Sequence, residues 1–161
     1  MGKREELLDM AVHALTPLMR GNQQASAYDV FDRSVSIAEQ LIAKVDATAA
    51  ADPDGPDRDE LMDMGIHALS ALLNGRPSAD VDALLDECMA QAKALIARVD
   101  DALGEGATDS DREELMDVAV HVQTAVLSTR PKADPAAVSD QCVEVGEKLV
   151  VRVDEALAPG H

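Results

Sequence analysis

The sequence predicts an all-α protein made of three tandem helical hairpins of about 54 residues each. The chain is similar to itself at a fixed period. One segment recurs as REELLDMAVHAL, RDELMDMGIHAL and REELMDVAVHVQ, starting at Arg4, Arg58 and Arg112. A second recurs as LIAKVD, LIARVD and LVVRVD, ending at Asp46, Asp100 and Asp154. Both recur without gaps, which indicates duplication of one structural unit.

Each copy reads as two helices, because apolar residues recur at helical spacing in both of its halves. The predicted helices lie near residues 3–20, 27–49, 57–74, 80–103, 111–128 and 135–157. Gly21, Gly75 and two Arg-Pro pairs, Arg76–Pro77 and Arg130–Pro131, stop the first helix of their copies. We call residues 3–50, 57–104 and 111–158 copies one, two and three. Segments 51–56 and 105–110 are polar linkers, and 1–161 is expected to be one domain.

A lone hairpin cannot bury apolar faces this broad, so the three are expected to pack together. Two arrangements fit the sequence. One is a six-helix bundle with pseudo-threefold arrangement, and the other is a short α-solenoid. A triplicated chain can replace a trimer of single hairpins, so we expect a monomer and leave an oligomer open.

The charge balance limits the partners. The chain carries 31 acidic and 14 basic residues, a formal net charge of −17. Such a field repels phosphate backbones and anionic membranes, so neither direct nucleic-acid binding nor membrane binding is expected. It is interpreted first as a solvated acidic surface that keeps the protein soluble, and otherwise as favouring a basic protein partner, mimicry of nucleic acid, or adaptation to high salt. MGKREELLDM lacks an apolar signal region and no apolar run is long enough to span a bilayer, so a cytoplasmic location is expected.

Two cysteines, Cys88 and Cys142, share one column on the apolar side of a helix. We expect reduced core residues, since two cysteines make no disulfide framework. The chain has no Walker motif, GxGxxG, CxxC or HExxH, and no cofactor is expected.

Ten columns are identical in all three copies, and six of them are charged or histidine. In copy one the ten are Arg4, Glu6, Leu7, Asp9, His13, Ala25, Asp32, Leu41, Val45 and Asp46. Glu60 and Glu114 are interpreted as capping-box partners of Asp57 and Asp111. The Asp32 column is expected to be solvated or to pair with a neighbouring hairpin.

The invariant arginines begin the first helix of each copy, and the invariant Asp46 column ends the second. Antiparallel packing within a hairpin brings these ends together. We therefore predict structural salt bridges inside each copy: Arg4–Asp46, Arg58–Asp100 and Arg112–Asp154.

The histidine column carries the main hypothesis about function. In each copy an aspartate precedes the histidine by four residues, one helical turn away on the same side. The pairs are Asp9 with His13, Asp63 with His67, and Asp117 with His121. They are interpreted as surface ion pairs or contacts between hairpins, and they are also candidates for a partner-binding surface. Asp and His one turn apart are also half of a zinc site, so metal binding through His13, His67 and His121 is an alternative if copies or chains converge.

Copy three offers an enzymatic alternative. Glu113, Glu114 and Asp117 on its first helix face Glu144 and Glu147 on its second. In spacing this is similar to the paired acidic motifs of all-α nucleotide pyrophosphohydrolases. The resemblance covers one copy and implies magnesium-dependent nucleotide hydrolysis. Copies one and two have Ser36 and Ala90 where Glu144 stands. We expect no enzyme, but an acidic module that acts by interaction or as a scaffold.

Overall fold

The computed structural model describes residues 2–21, 26–76 and 79–160. Over these ranges its regular secondary structure is entirely helical, which confirms the all-α prediction. The six helices are α1 (Lys3–Gly21), α2 (Ala27–Ala51), α3 (Arg58–Gly75), α4 (Val81–Ala102), α5 (Asp109–Thr129) and α6 (Pro135–Leu157). The invariant Ala25 and the predicted helix-stop residue Pro77 lie outside the described residues.

The helix starts correct one part of the capping prediction. α5 begins two residues before the predicted 111, because Thr108 is its N-cap and forms a capping box with Asp111. The predicted box of Asp111 with Glu114 is therefore wrong. Asp57 does cap α3, accepting from the backbone N–H groups of Asp59 and Glu60. The Glu60 carboxylate instead binds Arg112.

The helices pack in two parallel rows. α1, α3 and α5 contact one another in that order, and α2, α4 and α6 do the same. Each first helix also contacts the second helix of its own copy, and α2 contacts α3 as α4 contacts α5. In the part of the chain described here, no contact joins copy one to copy three. The middle copy is therefore covered on both sides.

Leu, Ile, Val, Ala and Met side chains build one apolar cluster that runs through all six helices. Cys88 and Cys142 lie in it as free, buried thiols, as the sequence predicts. Burial raises the pKa of Cys88 to about 12 and that of Cys142 to about 11. Both thiols are therefore packing residues rather than nucleophiles.

Over the residues described, no helix combines the length and apolarity that a membrane span requires.

Candidate functional site

The three histidines form one line across α1, α3 and α5. The ring centroids of His13 and His67 are 6.0 Å apart, and those of His67 and His121 are 6.2 Å apart. The line exists because the first helices pack side by side and the histidine occupies the same helical position in each. We call the three histidines, with Asp9, Asp63 and Asp117, the Asp/His row.

Each histidine in the row is held by its own helix. The Nδ1 atoms of His13, His67 and His121 lie 2.8, 2.7 and 2.7 Å from the backbone oxygen of the aspartate four residues earlier. Since a carbonyl oxygen only accepts, Nδ1 donates, and Nε2 is left to meet solvent or a ligand. The aspartate carboxylates lie 3.5–3.7 Å from the same Nδ1 atoms, so the predicted Asp/His proximity is present.

Two open grooves run between neighbouring first helices, and residues of the Asp/His row form part of their lining. The groove between α3 and α5 has a volume of about 400 Å³, and the one between α1 and α3 about 380 Å³. Methionine side chains contribute apolar surface to both grooves. Met64 and Met116 line the groove between α3 and α5, and Met10 and Met62 line the groove between α1 and α3. Aspartates, glutamates and one arginine complete the lining of the groove between α1 and α3, and the groove between α3 and α5 adds Val120, His67 and His121 to the same residue types. Such a groove suits a cationic side chain with an aliphatic stem.

Two of the three invariant arginines, Arg58 and Arg112, bind carboxylates of the preceding copy. Arg58 Nε donates to Asp46 Oδ1 at 2.5 Å, and Arg58 Nη2 donates to Glu6 Oε1 at 2.8 Å. Arg112 repeats this arrangement, with Nε 2.6 Å from Asp100 Oδ1 and both Nη atoms 2.7 Å from the Glu60 carboxylate.

These contacts overturn the predicted pairs Arg58–Asp100 and Arg112–Asp154. They also leave Arg4 without an ion pair among the described residues, so Arg4–Asp46 does not form. The residue types were right, but the partner belongs to the copy before. The reason is the linker, which places the start of α3 beside the end of α2, so that Arg58 lies between α1 and α2.

Hydrogen bonds to carboxylates raise the pKa of both guanidinium groups above its usual value. For Arg58 the bond to Asp46 contributes most, and for Arg112 the bond to Glu60. Each arginine is thus a fixed positive charge between two carboxylates.

A second set of ion pairs joins the second helices. Lys44 Nζ lies 2.5 Å from Asp86 Oδ1, and Arg98 Nε lies 2.8 Å from Asp140 Oδ1. Asp86 and Asp140 belong to the Asp32 column, so its expected pairing with a neighbouring copy occurs there. The sequence analysis did not identify the basic partners, although the recurrence of Lys44, Arg98 and Arg152 in one column is a signal in the sequence that could have done so.

The carboxylates of the hydrolase hypothesis point to different surfaces. Asp117 and Glu113 line the groove between α3 and α5, whereas Glu147 lines a separate depression with Lys148, Val151 and Arg152. Glu144 pairs with Lys148, which lowers the pKa of Glu144. In the described ranges, no three His, Cys, Asp or Glu side chains are grouped closely enough to hold a metal ion.

Comparison of the chain with protein-family models, with curated proteins and with solved structures gave no match.

Proposed function

We propose that this chain is a non-catalytic interaction module that binds a basic protein segment along the Asp/His row. The observation that carries the proposal is the alignment of three equivalent Asp/His pairs on one face, with neighbouring histidine rings 6.0 and 6.2 Å apart. Because the three Asp/His pairs are evenly spaced along one face, an extended peptide can contact them one after another.

The architecture we propose for this module is an open stack of three helical hairpins. Of the two predicted arrangements, this is the short α-solenoid. Support comes from the order of helix contacts, which joins each copy only to its neighbours within the described residues. A closed, threefold bundle requires copy three to contact copy one. The expected cytoplasmic location and single domain remain predictions.

Charge and spacing specify the partner's chemistry. The row lies on a chain of net charge −17, and its aspartates are about half exposed or more. In an extended peptide, alternate side chains are about 6.6 Å apart, close to the spacing of the row. A segment with Lys or Arg at every second position therefore places successive cations beside successive pairs, with the stems over the methionines of the grooves.

Calorimetric titration with a peptide of about twelve residues, alternating lysine and alanine, tests the proposal. The variant Asp9→Asn/Asp63→Asn/Asp117→Asn is expected to bind about tenfold more weakly, since each exposed pair contributes about 0.5 kcal/mol. The matched control Glu39→Gln/Asp101→Asn/Glu105→Gln removes the same charge from exposed sites elsewhere and is expected to bind like the wild type. Equal losses in the two variants would show that attraction is diffuse and that the row is not the site.

Mimicry of nucleic acid is a special case of this proposal, in which the natural partner's basic segment also binds DNA. Competition between this chain and a DNA duplex for that partner distinguishes it from simple acidic recognition.

Metal binding is the second candidate, favoured by one observation. Each histidine donates from Nδ1 to a backbone carbonyl, as metal-ligating histidines commonly do, and this leaves Nε2 free as a ligand. His67 has a histidine on both sides, so it belongs to both candidate two-histidine sites. Titration of untagged protein with zinc should then lose more affinity with His67→Ala than with His13→Ala or His121→Ala. Equal effects of all three substitutions would exclude pairwise sites.

A further inference from the structure

The large exposed apolar residues concentrate on the two ends of the molecule. At the beginning, Leu8 and Val12 are 55% and 52% exposed, although their copy-two equivalents, Met62 and Ile66, are 5% and 2% exposed. Met19, Phe31 and Val35 follow the same rule: they are exposed, while the same columns are buried in copies two and three. We call Leu8, Val12, Met19, Phe31 and Val35 the start face.

At the other end of the molecule, residues of copy three are exposed in columns that are buried in copies one and two. Leu149 and Val153 of α6 are both 49% exposed, although their columns in copies one and two are completely buried. Those columns hold Leu41, Val45, Leu95 and Val99. Val145 is likewise exposed, where the column is buried in the earlier copies. We call Val145, Leu149 and Val153 the end face.

Within the chain, the end-face columns pack on the next copy. Leu41 Cδ1 and Val45 Cγ2 lie 3.7 and 3.9 Å from the position that a Cβ atom would take at Gly65 of α3. The end face of copy three is thus an unused half of a contact that the molecule forms between copies one and two. The start face of copy one is the other unused half.

The ion pairs are left incomplete in the same complementary way. Between copies, an arginine of the Arg4 column binds a Glu and an Asp of the preceding copy. Among the residues the structure describes, Arg4 has no ion pair, and neither do Glu114 and Asp154. The second-helix pairs end likewise. Among the described residues Asp32 has no ion pair with a basic residue of a preceding copy, and Arg152 forms its ion pair with Glu155 on its own helix.

We propose that copies of this chain associate head to tail, the end face of one molecule packing on the start face of the next. The contact repeats the junction that copies one and two, and copies two and three, already make. Across it, Arg4 of the following molecule binds Glu114 and Asp154, and Arg152 binds Asp32 of the following molecule. The apolar residues of the end face match those of the start face, and the charges that meet across the contact are opposite in sign. The partner is therefore a second molecule of this chain.

The invariant columns support the same partner. Copy one retains Arg4 and Asp32, and copy three retains Glu114, Leu149, Val153 and Asp154, although no contact within the described chain uses their charges or covers these apolar groups. A junction between molecules would use all of them.

Such an interface is heterologous, so it continues from molecule to molecule and produces a filament or a ring rather than a twofold dimer. It places His121 of one molecule beside His13 of the next, so the Asp/His row continues without a break. The assembly itself does not depend on what binds to the row.

Sedimentation equilibrium of the full chain, from about 1 µM to about 1 mM in 150 mM and 500 mM NaCl, tests the proposal. The salt screens repulsion between the acidic molecules. The weight-average mass is expected at least to double over the chain mass of 17.0 kDa as concentration rises. A mass that stays at 17.0 kDa throughout, as for the monomer that the sequence favours, would overturn the proposal.

Two blocked variants then test the polarity of the contact. Leu8→Glu/Val12→Glu blocks the start face, and Leu149→Glu/Val153→Glu blocks the end face. These side chains are already half exposed, and circular dichroism verifies that each variant stays helical. Each variant alone is expected to be monomeric, while their equimolar mixture forms a one-to-one dimer through the two intact faces. Self-association of either variant alone, or no dimer in the mixture, would contradict a head-to-tail contact.

A matched control comes from the same helix. Val151 is 54% exposed, but its column is also exposed in copies one and two, where Ala43 and Ala97 stand. Val151→Glu adds charge beside the end face without entering it and is expected to assemble like the wild type. Loss of assembly in this control, equal to that of the end-face variant, would show a general charge effect and overturn the assignment of the face.

Discussion

Arg58 and Arg112 each connect three helices with a single guanidinium group. Each donates to a carboxylate on the preceding first helix and to another on the preceding second helix, while standing on the helix that follows. Arginine suits this position because its planar fork presents several donors in fixed directions and remains charged. The side chains are about one-third exposed, so the pairs are neither fully screened nor fully desolvated.

Replacing Arg112 with alanine is expected to lower the free energy of unfolding by about 1–2 kcal/mol, because Glu60 keeps its charge in a half-buried place without a partner. Arg4→Ala is the internal control, since it changes the same column where no ion pair exists. Its effect is expected to be within about 0.5 kcal/mol. Urea unfolding at low micromolar protein measures both, and equal losses would show that the ion pairs add nothing to stability.

Residue types and columns were predictable at this scale, but partners were not. Arg112 and Asp154 are correctly placed at helix ends by the sequence. The pairing then depends on which neighbouring helix lies closer, and a periodic sequence offers each arginine equivalent aspartates in two copies. Only the path of the linker decides between them.

At the scale of a helix, the start of α5 shows how a polar loop sets a boundary. The Thr108 side chain accepts from the backbone N–H of Asp111, and the Asp111 carboxylate accepts from the backbone N–H of Thr108 at 2.9 Å. The latter hydrogen bond is the main cause that lowers the pKa of Asp111 below its ordinary value of 3.8. Charge on Asp111 therefore favours the folded helix.

Asp111→Ala is expected to lower the unfolding temperature at pH 7, and the difference from the wild type is expected to shrink as pH falls below about 4. The sign follows from the depressed pKa in the folded state. Stability from the carboxylate is present above the unfolded value of 3.8 and is lost as pH falls through the lower folded value. Thermal unfolding at pH 7, 5 and 3 measures the difference. Asp109→Ala, in the same helical turn, is the control, and a difference independent of pH would contradict this account.

At the scale of the whole molecule, net charge and stacking act against each other. Seventeen excess negative charges repel one another across a structure whose copies contact only their neighbours in the part described. The ion pairs between copies offset part of that repulsion locally. Because they join atoms at contact distance, salt screens them less than it screens the repulsion over longer distances.

Raising NaCl from about 10 mM to about 200 mM is therefore expected to raise the unfolding temperature by several degrees. The Debye length falls from about 30 Å to about 7 Å over this range, which removes most long-range repulsion. The control is the variant Glu39→Gln/Asp101→Asn/Glu105→Gln, which has less repulsion to screen and should show a smaller rise. A fall in the wild-type unfolding temperature with salt would mean that the ion pairs outweigh the net charge.

The sequence by itself determined the helices, their ends to within about two residues, the buried cysteines and the ten invariant columns. Helical periodicity and capping are local properties, and a residue's neighbours along the chain suffice to specify them. The tertiary structure alone decided that Arg58 binds Asp46 rather than Asp100, that the three histidines align, and that Leu8 and Leu149 remain uncovered. These depend on how one copy lies against the next, and copies with the same invariant columns leave that register undetermined until the linkers and side chains pack.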